Sequence, residues 1–187
     1  MMRDAVFLDR DGVIIEDRAD FVKCWDEVAF VPSAFDAIAK LTDAGLPIVI
    51  VTNQSAIGRG IITQSFLMDL HAQMLAEIES HGGRIAGVYF CPHHPNDGCT
   101  CRKPLPGLIF RAAADLDINL GKSYLVGDSA TDIQAANAAG VNPVLVLTGK
   151  GEKHRSLVAA SSSGQTPAIA ANLGEAADLI LTRRSMR

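Results

Sequence analysis

Two aspartates stand two residues apart in Asp9-Arg10-Asp11-Gly12, directly after a short apolar run. If the chain stays extended there, both side chains point the same way. Carboxylates that close repel each other unless a cation or a proton separates them. Mg²⁺ would separate them well, because it prefers oxygen ligands and keeps phosphate and water in its shell. A shared proton would do so too. The competing reading is a solvated polar turn.

Three further segments offer groups that suit phosphate. Thr52-Asn53-Gln54-Ser55 follows a buried apolar run. A hydroxyl and successive backbone N–H groups at such a place hold phosphate oxygens as a helix N-terminus does; a simple N-cap is the alternative. In Arg102-Lys103-Pro104, Lys is a compact charge and Arg a bidentate fork; a solvated surface pair is the alternative. In Gly127-Asp128-Ser129-Ala130-Thr131-Asp132, Asp128 is placed to ligate a metal. Asp132 lies one helical turn further on, where it can orient its neighbours. Asp capping of the next helix is the alternative there.

A separate cluster is soft rather than hard. Cys91, His93, Cys99 and Cys101 read C-x-H-x5-C-x-C within eleven residues. Three thiolates and an imidazole form a closed tetrahedral set for Zn²⁺. A closed set has no open position for substrate, so its role would be to fold the loop 91–106 and hold Lys103, two residues on. Free thiols are the alternative, and His94 competes with His93. Cys24 stands alone as a buried or incidental thiol.

These groups need a frame. Ala5 to Leu8, Leu46 to Val51, Ile85 to Phe90, Tyr124 to Val126 and Val144 to Leu147 are strand-length apolar runs. Between them lie helical patterns: from Ser33, as N-cap, to Gly45; from Thr63, as N-cap, to Gly82-Gly83; from Leu108 to Leu116; and from Thr131 to Ala139. The Ser/Gly-rich stretch from Gly151 to Pro167 reads as loop with at most one helical turn. A short edge strand at Ala168–Ala171 and a last helix from Leu173 to Leu181 complete the chain. The alternation predicts an α/β fold with a doubly wound, parallel, Rossmann-like sheet. In such sheets ligands bind beyond the carboxyl ends of the strands. Asp9, Thr52, Cys91 and Asp128 all fall at such ends.

At 187 residues the chain suits one domain, 1–187. A net charge of -4 and few aromatics (one Trp, two Tyr, seven Phe) argue against a nucleic-acid groove with stacking platforms. No apolar run approaches the roughly 20 residues of a membrane span. The run after Met1 is too short for a signal peptide. We expect a cytoplasmic monomer that takes a small-molecule substrate, with neither nucleic acid nor membrane as partner.

Taken in order, the four phosphate-suited segments resemble the four motifs of the haloacid dehalogenase superfamily of phosphatases, over about Val6 to Leu147. Val13 departs from the pattern, where many members carry Thr. The resemblance implies that Asp9 attacks phosphorus to form an aspartyl-phosphate. It implies that Asp11 protonates the leaving oxygen and then activates water. Asp9, the Asp11 carbonyl and Asp128 would hold Mg²⁺, Thr52 and Lys103 would stabilise the transferring phosphoryl group, and Asp132 would orient its neighbours. About 40 residues between the first two motifs leave no room for a large cap. Substrate choice would then fall to the short loops 16–22, 55–60 and 91–106.

The Cys/His loop is similar to that of the branch holding heptose 1,7-bisphosphate 7-phosphatases and histidinol-phosphate phosphatases. Ser55-Ala56-Ile57-Gly58-Arg59-Gly60, Pro104-Leu105-Pro106-Gly107 and Thr148-Gly149-Lys150 resemble the heptose type. That likeness implies a phosphorylated sugar substrate, with Asn53 and Ser55 in contact and Arg59 and Arg102 holding a second, non-reacting phosphate. A histidinol-phosphate phosphatase is the nearest alternative. A nucleic-acid end phosphatase and a non-catalytic, zinc-stabilised binding module are more remote; the last would require a broken motif.

Overall fold

The computed structural model describes residues 2–160 and 164–186. Its centre is a parallel six-stranded sheet in the order β3-β2-β1-β4-β5-β6. The strands are β1 (Val6–Leu8), β2 (Ile48–Asn53), β3 (Gly87–Cys91), β4 (Tyr124–Gly127), β5 (Asn142–Val146) and β6 (Ala168–Ala170). The central strands read as unbroken apolar runs because helices cover both faces. Alternate residues feed opposite cores. Val6, Leu8, Ile48, Ile50 and Val126 pack with Ile38, Leu41, Met74 and Ile180. Phe7, Val49, Val51 and Leu125 pack with Ile109, Ala112, Ala135 and Ala136.

Those partners come from five helices. α1 (Ala34–Asp43), α3 (Gln64–Ser80) and α7 (Leu173–Ser185) lie on the first face. α4 (Gly107–Leu116) and α5 (Ala130–Ala139) lie on the second. A single-turn helix, α2 (Ser55–Gly58), follows β2. Thr63 caps α3 as expected, its hydroxyl accepting from the Phe66 N–H at 3.1 Å. Ser33 precedes α1 but makes no side-chain cap; its hydroxyl instead accepts from Gly174 N–H on α7, at 3.3 Å.

One expectation fails. The composition from Gly151 predicts loop with at most one helical turn, yet Gly151–Ala160 forms a ten-residue helix, α6. Its largely polar composition hides the buried apolar contact of Val158 against Ile133 and Leu145. Tertiary contact thus outweighs weak periodicity. The rest of that stretch includes 161–163, which lie outside the described residues. Among the described residues no helix is long and apolar enough to cross a membrane.

The chain builds β1, β2 and β3 outward in one direction, then returns past β1 to build β4, β5 and β6 in the other. The switch point therefore lies between β1 and β4, where a crevice opens beyond the strand ends. Between β1 and α1 the chain makes only a small excursion, pinned by an antiparallel bridge between Ile15 and Phe30 and by a 3-10 turn at Trp25–Glu27.

Candidate active site

Asp9 and Asp128 leave the two strands that flank the switch point, β1 and β4. Lys103 reaches them from the Cys/His loop. It is almost fully buried, and its ammonium has three acceptors: Val51 O at 2.8 Å, Asp9 Oδ1 at 2.9 Å and Asp132 Oδ1 at 2.5 Å. One hydrogen bond and two buried ion pairs thus hold the ammonium in one place. Its main chain is clamped as well: Asn53 Nδ2 donates to Lys103 O at 3.0 Å, and Lys103 N donates to Asn53 Oδ1 at 3.1 Å. Asp132, wholly buried at the start of α5, accepts from the Ser129 N–H at 3.1 Å and the Ser129 hydroxyl at 2.5 Å.

Asp128 is buried in a cradle of glycines. A Cβ on Gly12 or Gly149 would lie 2.2 Å from its Oδ2, and both glycines have positive φ, 79° and 55°. Only residues without side chains permit that approach. The same oxygen accepts from Lys150 N at 2.8 Å, and the Thr148 hydroxyl donates to Gly12 O at 2.6 Å. The segment after β5 therefore braces both flanking strands.

Charge is crowded here. Burial pushes the Asp9 carboxyl up to about 6; the Asp132 and Asp11 charges add to the rise, and Lys103 opposes it. Burial and the Asp9 charge push Asp128 up to about 7. Burial would lower the Lys103 ammonium, but Asp132 and Asp9 outweigh it and raise it. Oxygen atoms of Asp9, Asp128 and Asp132 lie within 4.8 Å of one another. One buried lysine cannot neutralise three carboxylates, so the donor set is hard, oxygen-rich and short of positive charge. That fits Mg²⁺.

Asp11 faces the same crevice with its side chain 24% exposed. Arg10 grips it, Nη2 at 2.8 Å from Oδ1 and 3.1 Å from Oδ2, and Gln54 Nε2 donates to Oδ2 at 2.8 Å. Gln54 Nε2 also donates to the Thr52 hydroxyl at 2.9 Å. Thr52 is fully buried, and its own proton remains to be donated. A cavity of about 290 Å³ is lined by Asp9, Asp11, Asn53, Ser55, Lys103 and Asp128, and also by Phe21, Arg102, Ser129, Thr131, Lys150 and His154. Arg102 Nη1 is buried without a hydrogen-bond partner among the described residues. Thr52 lies beneath this lining, and Arg59 is exposed at the end of α2, outside it.

The Cys/His loop brings its four donors together. Cys91 Sγ lies 3.6 Å from Cys99 Sγ and 3.5 Å from His93 Nδ1, and Cys101 Sγ lies 3.3 Å from the same nitrogen. A tetrahedral Zn²⁺ with bonds of about 2.3 Å to sulfur and about 2.0 Å to nitrogen has edges of about 3.5–3.8 Å. The donors stand close to those separations. Burial and the neighbouring thiols push the Cys101 thiol up to about 12. Without a cation, the Cys91 and Cys101 thiols resist ionisation, Cys91 chiefly through burial. The chemistry of the set fits a metal of zinc type.

Comparison with known proteins agrees with this geometry. Residues 100–176 match the HAD-hydrolase-like family model. The D-glycero-beta-D-manno-heptose-1,7-bisphosphate 7-phosphatase of Neisseria meningitidis serogroup B is 48% identical over 148 residues, which cover 79% of this chain and 79% of that protein. The chain belongs to this family of HAD-type phosphatases. The enzyme of the same name from Pseudomonas aeruginosa is 42% identical over 81% of this chain and 85% of its own. The crystal structure of the D,D-heptose 1,7-bisphosphate phosphatase from Bordetella bronchiseptica, complexed with magnesium and phosphate, superposes with a TM-score of 0.90. It is 38% identical and covers 96% of this chain and 99% of that one.

Several groups in this phosphatase's site were not singled out from the sequence. Arg10 is a buried polar residue beside Asp11, and His71 is a buried one against Arg10. His71 carried a signal, because it shares the apolar face of α3 with Leu67, Leu70, Met74 and Ile78. Phe21 lines the cavity at φ 64°, strained for a residue with a bulky side chain. His154 lies on α6, so the misread helix concealed it; its Nδ1 accepts from the Ala130 N–H at 3.1 Å.

Proposed function

We propose that this phosphatase removes the 7-phosphate of D-glycero-D-manno-heptose 1,7-bisphosphate through an aspartyl-phosphate on Asp9. The observation that carries the chemistry is the buried Asp9–Lys103–Asp132 array beside Asp128 at the sheet's switch point. Support for the substrate comes from the names of relatives at 42–48% identity.

In this reading an Asp9 oxygen attacks phosphorus, an O–P bond forms, and the bond to the sugar oxygen breaks. Asp11 delivers a proton to that oxygen. Asp11 then takes a proton from water as the water attacks phosphorus, releasing inorganic phosphate and restoring Asp9. Asp9, the Asp11 carbonyl and Asp128 would hold Mg²⁺, which when bound would supply positive charge against the transferring phosphoryl group. Lys103 supplies a second, immobile charge, and Asp132 keeps it aimed. The Thr52 hydroxyl and the Asn53–Ser55 segment bind the phosphoryl oxygens.

The second phosphate of the substrate falls to Arg102. Its buried, unpartnered Nη1 in the cavity wall supports that role, because an unpaired buried donor favours an anion. Arg59 carries less of this reading, being exposed and outside the cavity wall. Zn²⁺ on Cys91, His93, Cys99 and Cys101 has a structural role. This reading takes the chain as one domain, 1–187, acting as a monomer. The net charge of -4 supports a small sugar phosphate rather than nucleic acid as partner. The cytoplasm is the compartment this reading assigns.

The test is phosphate release with Mg²⁺ from heptose 1,7-bisphosphate and from histidinol phosphate. A preference for the bisphosphate of about a hundredfold in kcat/KM, a few kcal/mol of transition-state discrimination, is expected. The reverse preference would remove the heptose assignment and the role of Arg102 while leaving the catalytic array intact.

A further inference from the structure

We propose that His71 is a positioning residue for the acid/base carboxylate, acting through Arg10. The inference rests on the reading of Asp11 as acid and base.

The chain of contacts is short and buried. Arg10 is 3% exposed and His71 5% exposed. Arg10 Nη1 lies 3.2 Å from His71 Nε2. A guanidinium has only donors, so the imidazole nitrogen must be the acceptor and the ring must be neutral. Burial, and then the Arg10 charge, push the His71 imidazolium down to about 3, in keeping with that state. The ring is further fixed by the edge of Phe90, with centroids 5.9 Å apart.

The other side of the guanidinium faces the site. Nε and Nη2 both donate to Asp11 Oδ1, at 3.3 and 2.8 Å, and Nη2 also donates to Asp11 Oδ2 and Gln54 Oε1, at 3.1 and 2.9 Å. Because a guanidinium is rigid and planar, fixing Nη1 fixes the angle at which Nε and Nη2 meet the carboxylate. His71 thus holds one end of a flat plate, and Asp11 rests on the other. Without His71 the plate loses its outer anchor, and the Asp11 carboxylate loses its aim at the leaving oxygen. His71 itself touches no reacting atom.

Leaving groups separate this role from mere support of the fold. An alkyl oxygen needs the proton from Asp11 to leave, whereas p-nitrophenolate does not. The kcat/KM value reports only the steps up to aspartyl-phosphate formation. We expect His71→Leu to lower kcat/KM for the heptose bisphosphate about tenfold, and for p-nitrophenyl phosphate by less than about threefold. His71→Gln carries an amide group near the Nε2 position and recovers most of the alkyl loss. Should His71→Leu not fold, His71→Asn, too short to reach Arg10, is read by the same ratio. Equal losses on both substrates, no loss on either, or a His71→Gln variant as impaired as His71→Leu would overturn the inference. Asp11→Asn is the reference. If it too fails to discriminate between the leaving groups, the acid/base reading falls; if it discriminates and the His71 variants do not, only the role of His71 falls.

Discussion

The carboxylate site and the Cys/His loop adjoin each other, with Cys101 only two residues from Lys103, but they are assembled in opposite ways. The loop gathers four donors from eleven consecutive residues, and its geometry is complete within one turn of chain. The carboxylate site draws on residues separated by more than a hundred positions, Asp9 and Asp128, which meet because β1 pairs with β4. The loop has its full set of donors and no open side. The site has surplus negative charge, a cavity and an unpartnered arginine nitrogen. Such a difference separates a site built to hold the chain from one built to receive a ligand. Charge that the fold leaves uncompensated marks where a cofactor and a substrate belong.

The sharpest way to test that contrast is Asp9→Asn. Turnover should fall by on the order of a thousandfold or more. The thermal midpoint should hold or rise, because one of three crowded carboxylates is neutralised. A large loss of stability would make Asp9 a fold-holding residue and erase the distinction between the two regions.

The opposite pattern is expected of the loop. Removing zinc with a chelator, or Cys99→Ser, should cost about 3 kcal/mol or more and lower the thermal midpoint by about 6–12 °C. Activity measured well below that midpoint should fall less, through displacement of Lys103. A stripped protein with an unchanged midpoint would deny the loop its structural role.

The smallest effect expected is in the coupling of Mg²⁺ to pH. Asp9 and Asp128 titrate near 6 and 7 in the folded chain, against a usual 3.8. The metal-free fold therefore binds protons more tightly than the unfolded chain does. The stability this contributes is full below about 3.8 and is lost as pH rises through 6 to 7. Mg²⁺ competes with those protons, so the rise in thermal midpoint on adding Mg²⁺ should be larger at pH 8 than at pH 5.5. His71 titrates with the opposite sign, but it is present with and without metal, and its contribution cancels in that difference. Equal shifts at both pH values would place the metal away from these two carboxylates.

Much of the molecule was legible from periodicity and local chemistry. The strands β1 and β2, the latter shifted two residues beyond the apolar run Leu46 to Val51, the capped helix α3 and the edge strand β6 all follow their patterns. So does the crevice with Asp9 and Asp128, because strand ends in parallel sheets are where polar residues collect. α6 was not legible, since its first six residues are Gly and polar residues and its buried apolar anchor is Val158 alone. His154 was hidden with it.

The sequence alone determined the parallel α/β class, the order of the candidate groups at the strand ends and the four soft donors of the loop. These depend on residue type and on spacings of a few residues. Only the tertiary structure decided that Lys103 is saturated by Val51, Asp9 and Asp132, that glycines enclose Asp128, and that Arg10 links His71 to Asp11. Those contacts join segments up to 137 residues apart, as between Gly12 and Gly149. Local propensity carries no record of such pairings; they arise when burial of the sheet's two apolar faces brings the strand ends together.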